Sequence, residues 1–316
     1  MSLGSSLSFW HIPTGPAAGF DGLIGVTSLS FPDDRLLVTH GSSVTLMDAS
    51  SGSILASLMQ TGPDAAVAKG AALRGPDIVV ALASAAAVHS DPVPSNDSTD
   101  LRFETWRGLR RLAPLQDGRF TRASTGIGLE VEAPNGVWTL LDPWRQIDLA
   151  VRGDLLVHLT GTPALVSVWD LSGPPLRLAR CPDDGSTAVG LVDDPDGPIV
   201  LTTQSRWVVA TRDCSIVKIF SVPAEPSRVV GIGPTETGLV AAGTRDGEVL
   251  VWDWSGALRA RVLAHLEPVS VLTLDPTGRW LVSGAWDGRV RFFDLDLVTA
   301  PREDLVDTIR TAWTQE

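Results

Sequence analysis

The chain has 316 residues, of which 44% are hydrophobic and 20% are charged, and its formal net charge is −12 at pH 7. This acidic balance argues against nucleic acid as a partner, and the apolar runs are shorter than the roughly 20 residues that a membrane span needs. Met1 to Trp10 lacks a basic segment followed by an apolar one, so the sequence predicts a cytoplasmic protein without a signal peptide.

Short apolar segments recur along the chain with a period of about 41 residues, as in repeat architectures. Asp48, Asp170, Asp253 and Asp294 each end such a segment, and 122, 83 and 41 residues separate them in turn. These gaps are close to three, two and one periods. In chain order, the spacing predicts repeats near 22–60, 64–108, 109–145, 146–181, 187–223, 228–265 and 268–298.

The last two repeats show the pattern most clearly. In each, an apolar run containing a glycine leads to an Asp-Gly turn, and a second alternating run ends in an aromatic residue followed by aspartate. That order of features is typical of a β-hairpin. The matching pairs are Gly243 and Gly284, Asp246 and Asp287, and Trp252-Asp253 and Phe293-Asp294.

These residues resemble the WD40-repeat family. Trp252-Asp253 matches the dipeptide that names the family, Trp169-Asp170 is a further instance, and His265 stands where the family has Gly-His. The resemblance implies an all-β fold, a seven-bladed β-propeller of four-stranded antiparallel blades around a central channel. Residues 1–300 would form this single domain.

Three further segments also lead to predictions. WD40 rings usually close by lending a terminal strand to the last blade, and the alternating segment Ser6–Ile12 is predicted to be that strand. The polar stretch 90–100 is either a surface loop or an insertion that docks a partner. Residues 301–316 are predicted to form a short helix that packs against the ring or docks elsewhere; one side of it carries Leu305, Val306, Ile309 and Trp313.

The residues that could take part in catalysis or bind a metal are interpreted as structural. Cys181 and Cys214 are interpreted as two free, buried thiols, with a disulfide or a metal pair as the alternative. The acidic segment 193–197 lacks the spacing of an EF-hand and matches a recurrent turn better than a calcium loop. The resemblance implies that His265, Ser283 and Asp287 form a structural hydrogen-bonded set.

No GxSxG, HExxH or phosphate-binding loop is present, so the sequence predicts no enzyme, no cofactor and no metal.

The resemblance further implies that the residue before each blade aspartate lies on one face of the ring, beside the channel mouth. These residues are Trp286, Arg245 and, by register, His40, and Glu267 is expected on the same rim. Trp and Arg are frequent interface hot spots. Alternatively, Trp286 packs on a neighbouring blade and Arg245 pairs with a local carboxylate.

Two functions remain open on this evidence. The favoured one is a non-catalytic, monomeric scaffold that binds a partner protein or peptide, without nucleic acid or membrane partners. The other is an enzyme or small-molecule receptor whose site lies at the channel mouth.

Overall fold

The protein is described by a computed structural model over residues 25–31, 35–48, 54–59, 67–74, 77–82, 102–107, 109–115, 119–124, 128–192, 194, 196–233, 238–275 and 277–296. Within these ranges, 26 strands form seven small sheets. In the described part of the chain no helix is both long and apolar enough to cross a membrane.

The sheets follow one another along the chain and are numbered here in that order. Sheet 1 contains β1 (Val26–Ser30), β2 (Arg35–His40), β3 (Ser43–Asp48) and β4 (Ile54–Met59). Sheet 2 contains β5 (Ala68–Arg74), β6 (Asp77–Leu82) and β7 (Arg102–Arg107). Sheet 3 contains β8 (Leu109–Pro114), β9 (Phe120–Ser124), β10 (Leu129–Glu132) and β11 (Trp138–Asp142). Sheet 4 contains β12 (Gln146–Arg152), β13 (Leu155–Gly161), β14 (Ala164–Asp170) and β15 (Leu176–Pro182).

The remaining three sheets come from the C-terminal part of the chain. Sheet 5 contains β16 (Val189–Val192), β17 (Ile199–Gln204), β18 (Trp207–Arg212) and β19 (Ser215–Ser221). Sheet 6 contains β20 (Pro226–Ile232), β21 (Leu239–Thr244), β22 (Glu248–Asp253) and β23 (Leu258–Leu263). Sheet 7 contains β24 (Val269–Leu274), β25 (Trp280–Ala285) and β26 (Val290–Asp294). No sheet extends more than two residues beyond the bounds of its predicted repeat.

The prediction of seven equivalent, four-stranded antiparallel blades is wrong in detail. Among the described strands six sheets, not seven, are antiparallel throughout, because β7 of sheet 2 runs parallel to β6. A parallel neighbour needs a crossover connection, and residues 83–101 between these strands include the predicted insertion. Sheets 2 and 7 have three described strands each. The predicted outer strand Ser6–Ile12, the 90–100 segment and the tail from residue 301 lie outside the described residues.

The first strands of the seven sheets contact one another in sequence, and β24 contacts β1, so the ring closes. Hydroxyl groups join neighbouring first strands. Thr27 Oγ1 donates to the carbonyl oxygen of Ala68 at 2.7 Å, and Ser227 Oγ donates to that of Val269 at 2.7 Å. Across the closure, the hydroxyl of Ser270 donates to the carbonyl of Val26.

The apolar core lies between the sheets, as a set of clusters that each join two neighbours. Between sheets 5 and 6, for example, the buried ring of Phe220 lies 6.1 Å from Trp252 and 5.6 Å from Trp254, measured between ring centroids. A single sheet buries neither face by itself, so its stability depends on both neighbours.

The glycine that recurs in the last two repeats has a packing reason. A Cβ atom built on Gly243 would lie 2.4 Å from Cγ1 of Val269, and one on Gly284 would lie 2.6 Å from Cγ1 of Val26. Each valine opens the first strand of the next sheet. Glycine at this position therefore lets the second strand of one sheet approach the next sheet closely.

The interpretation of the cysteines as free thiols is wrong. Cys181 in β15 and Cys214 in the turn between β18 and β19 form a disulfide, with their Cα atoms 5.3 Å apart. Their sequence separation of 33 is less than one repeat, and the two cysteines fall on adjacent sheets. The bond joins the outer strand of sheet 4 to a turn of sheet 5.

Candidate interaction face

The turns between the second and third strands of the sheets define one end of the ring, here called the turn face. Arg245 and Trp286 lie in these turns in sheets 6 and 7, and His40 ends the second strand of sheet 1. Sheets 6, 7 and 1 are consecutive around the ring. Glu267 lies in the connection from β23 to β24, which reaches the same end because the strands are antiparallel. The four predicted residues therefore lie on one end of three neighbouring sheets.

The side chain of Trp286 packs against the neighbouring sheet along one edge and is otherwise exposed to solvent. A Cβ atom on Gly25 of sheet 1 would lie 2.7 Å from Cε3 of the indole, so one edge of the ring rests on the neighbouring sheet. The residue is nevertheless 55% exposed. Leu266, which is 76% exposed, lies beside the same turn because its backbone N–H donates to Oδ2 of Asp287 at 3.0 Å. Sequence reasoning missed Leu266, although it directly follows the predicted structural histidine.

Arg245 pairs with a local carboxylate. Its Nη2 lies 3.1 Å from Oε1 of Glu225, and its backbone N–H donates to the Glu225 carbonyl at 2.9 Å. Both side chains are about half exposed. An exposed ion pair of this kind contributes only about 0.2–1 kcal/mol, so a partner carboxylate can replace Glu225 at little cost.

His40 and Glu267 differ in their surroundings. His40 is half-buried, with Nε2 3.3 Å from Oγ1 of Thr45, and burial lowers the pKa of its imidazole. Glu267 is exposed, and its carbonyl would lie 3.1 Å from a Cβ built on Gly247 in the Arg245 turn. Glu267 is thus on the surface beside Arg245, whereas His40 is partly covered.

A buried hydrogen-bonded set holds the Trp286 turn. His265 Nδ1 lies 3.2 Å from Oδ1 of Asp287, and its Nε2 lies 2.7 Å from Oγ of Ser283. Asp287 also accepts the backbone N–H groups of Leu266 and Arg289, each at 3.0 Å. His265 and Ser283 are both buried, so this Ser–His–Asp arrangement orients the turn and offers no accessible nucleophile.

A second buried set in sheets 3 and 4 was missed. Asp142 lies four residues before Gln146, the first residue of β12, as His265 lies four residues before Val269, the first residue of β24. His158 holds the place in β13 that Ser283 holds in β25. His158 Nδ1 lies 2.7 Å from Oε1 of Gln146, and its Nε2 lies 3.7 Å from Oδ2 of Asp142. Because the acid stands at the histidine position and the histidine at the serine position, a search for the usual residue order does not find them.

Acidification should weaken the fold through His158. Burial lowers its pKa to about 4, with smaller contributions from Arg180 and Arg177, while Asp142 partly opposes the shift. The unfolded histidine titrates near 6.5, so between pH 6.5 and pH 4 the unfolded chain binds a proton that the folded chain does not. The free energy of unfolding should therefore fall by on the order of 3 kcal/mol over this range.

Urea unfolding at a series of pH values checks this expectation. A His158→Gln variant keeps a polar side chain but does not titrate, so its free energy of unfolding should fall less between pH 6.5 and pH 4 than that of the wild type. Equal slopes for the two proteins would contradict the assignment to His158. His265, whose pKa burial also lowers, contributes in the same direction to both proteins.

The first strands surround a central channel with a volume of about 670 Å³. Its charged lining residues have partners: Arg228 Nη1 lies 3.9 Å from Oδ2 of Asp148, and Arg152 Nη1 donates to the carbonyl of Gly231 at 3.3 Å. Among the described lining residues there is no histidine, and the described chain holds no group of three potential metal ligands.

Comparisons with known proteins agree with this architecture. Residues 257–294 match the family model described as "WD domain, G-beta repeat". A chain in the structure titled "Crystal Structure of Mitotic Checkpoint Complex" is similar in fold, with a TM-score of 0.66 and 15% sequence identity over 93% of this chain and 98% of that one. A search of curated proteins finds no sequence match. The predicted resemblance to WD40 repeats is confirmed at residues 257–294, and the structural similarity shows that the chain has a β-propeller fold.

Proposed function

We propose that this propeller is a non-catalytic scaffold that binds a partner protein or peptide on the turn face of sheets 6, 7 and 1. The observation that carries the proposal is the exposed apolar pair Trp286 and Leu266, at the place where the sequence predicted an interface. WD40 propellers typically mediate protein–protein interactions.

The physical setting of this pair suits an interface. Trp286 and Leu266 form an apolar centre, and Arg245 and Glu267 supply a charged rim, which is the usual arrangement of a protein interface. The hydrogen bonds of Asp287 hold the turn in place before any partner arrives. Less conformational freedom is then lost on binding, which favours affinity.

A Trp286→Ala/Arg245→Glu variant is expected to lose the partner. The wild type and the variant are used to capture proteins from a lysate of the native host, and the retained protein is then purified and titrated against both. Loss of a tryptophan hot spot costs about 2–4 kcal/mol, so the Kd should rise at least 30-fold. Thermal unfolding of both proteins shows whether the variant is still folded.

Sheet 5 offers a matched control on the same face. Arg206 lies in its turn between the second and third strands, Trp207 opens the third strand, and both are exposed. A Trp207→Ala/Arg206→Glu variant changes the same residue types outside the proposed interface and should bind as the wild type does. A partner lost by this control and retained by the first variant would move the interface to sheet 5. If none of the baits retains a specific protein, that result would favour the alternative function, a small-molecule receptor with its site at the channel mouth.

The proposal also covers the segments near the two ends of the given sequence. Ser6–Ile12 would supply a fourth strand to sheet 7, where β26 has no outer neighbour among the described strands. Residues 1–300 would then form one monomeric ring, and residues 301–316 a helix. The cytoplasmic location stays a prediction. Stable disulfides are more typical of oxidising compartments. The redox state of Cys181 in fresh cell extract therefore tests the predicted location.

A further inference from the structure

A groove separates the outer parts of sheets 4 and 5, away from the turn face. Its apolar lining is contributed by both sheets: Val166, Val168, Leu178 and Ala179 from sheet 4, and Pro198 and Val200 from sheet 5. Leu178 is 44% exposed although it borders this space. The volume is about 270 Å³, just below the range of small-molecule sites, which suits one large apolar side chain.

The rim of the groove carries excess negative charge. Asp196, whose side chain is 85% exposed, and the exposed Asp213 border the apolar lining. The neighbouring cation, Arg212, already forms a close ion pair with the buried Asp194, and its Nη1 is 3.6 Å from Oδ2 of Asp196. Because Arg212 balances the charge of Asp194, the carboxylates of Asp196 and Asp213 leave the rim with excess negative charge.

The walls of the groove are held together covalently. The disulfide between Cys181 and Cys214 borders the space and ties the outer strand of sheet 4 to the turn of sheet 5 that carries Asp213. The position of the rim carboxylates relative to Leu178 is therefore restricted. A site with restricted walls loses little conformational freedom when it is occupied.

We propose that this groove binds an extended segment of a partner protein that places one leucine- or phenylalanine-sized side chain between sheets 4 and 5, with an adjacent Arg or Lys against Asp196 and Asp213. The apolar lining selects the side chain, and the rim selects the positive charge. The site is separate from the turn face and does not depend on the function proposed for it.

Two synthetic peptides test the proposal: acetyl-Gly-Arg-Leu-Arg-Gly-amide and its matched version with Glu in place of both Arg residues. Each is titrated to millimolar concentration into protein labelled at leucine and valine methyl groups. The arginine peptide should give saturable shifts of the Leu178 and Val200 methyl resonances. The glutamate peptide should give none.

Variants separate the apolar contribution from the charged one. Asp196→Asn/Asp213→Asn should weaken binding of the arginine peptide roughly two- to 25-fold, because each exposed ion pair contributes about 1.4- to fivefold. Leu178→Glu should abolish binding. Leu176→Glu, at an exposed leucine of the same strand that does not line the groove, should leave binding unchanged. The Trp286→Ala/Arg245→Glu variant should also bind the peptide as the wild type does.

Several results would overturn the proposal: equal binding of the glutamate peptide, wild-type binding by a folded Leu178→Glu variant, or no methyl shift at millimolar peptide. Shifts of the Leu266 resonance instead of Leu178 would place the peptide on the turn face and contradict the groove. Since Leu178 is partly exposed on an edge strand, the variant should fold, and its thermal unfolding checks this.

Discussion

Replacing Asp287 by alanine should lower the free energy of unfolding by about 3–5 kcal/mol, because three hydrogen bonds to a nearly buried carboxylate are lost. The carboxylate of Asp287 is nearly buried and serves His265 Nδ1 and the backbone N–H groups of Leu266 and Arg289. Alanine would leave all three donors without this acceptor. Urea unfolding followed by tryptophan fluorescence measures the loss.

Asp246 provides the matched control, because it holds the same turn position one repeat earlier but is exposed. Asp246→Ala should change the free energy of unfolding by no more than about 0.5 kcal/mol. Asp287→Asn, which keeps one acceptor oxygen, should lie between the two. A loss of similar size in Asp246→Ala and Asp287→Ala would show that the Asp-Gly turn, and not the buried carboxylate, stabilises the repeat.

Removing the disulfide should cost about 2–4 kcal/mol. Cys181 and Cys214 close a loop with a sequence separation of 33, and a Cys181→Ser/Cys214→Ser variant returns the conformational freedom of that loop to the unfolded chain. Thermal unfolding of the wild type with and without dithiothreitol should show the same loss. The double variant should unfold at one temperature under both conditions.

Alkylation of the unfolded wild type under non-reducing conditions checks the bond itself. No iodoacetamide should be incorporated at either cysteine before reduction, and two groups should be incorporated after it. An unfolding temperature that dithiothreitol does not change, in a protein shown to hold the bond, would contradict the expected stabilisation.

Much of the fold could be predicted because each sheet is made from one continuous stretch of chain. The Asp-Gly turns at Asp246 and Asp287 and the aromatic-Asp endings are local features that repeat with the sheets. The parallel strand β7 could not be predicted, because the direction of a strand relative to its neighbour depends on the path of the chain between them and not on a local pattern. The disulfide depends on which strand edges of adjacent sheets meet, and two isolated cysteines do not show this.

Some features of the candidate site could also be predicted from the sequence, and others could not. The family resemblance implied the turn positions of Trp286 and Arg245, and the two residues lie on adjacent sheets at one end of the ring. Whether Trp286 would pack or protrude depends on Gly25, far away in the sequence. Sequence analysis also missed His158, because its partners Asp142 and Gln146 replace the usual residues of the set.

The ring closure has a consequence for how the protein is made. The Ser270 hydroxyl reaches the Val26 carbonyl across 244 residues, whereas Thr27 reaches Ala68 across only 41. At about 5–20 residues per second, a ribosome needs roughly 10–50 seconds between making β1 and making its partner β24. Throughout that interval the flank of sheet 1 that carries Val26 and Val38 has no neighbour, although both side chains are fully buried in the finished ring. A nascent chain of this protein therefore presents an uncovered apolar surface for most of its synthesis, and it is in this period that chaperone binding or misassembly with another nascent chain would compete with folding.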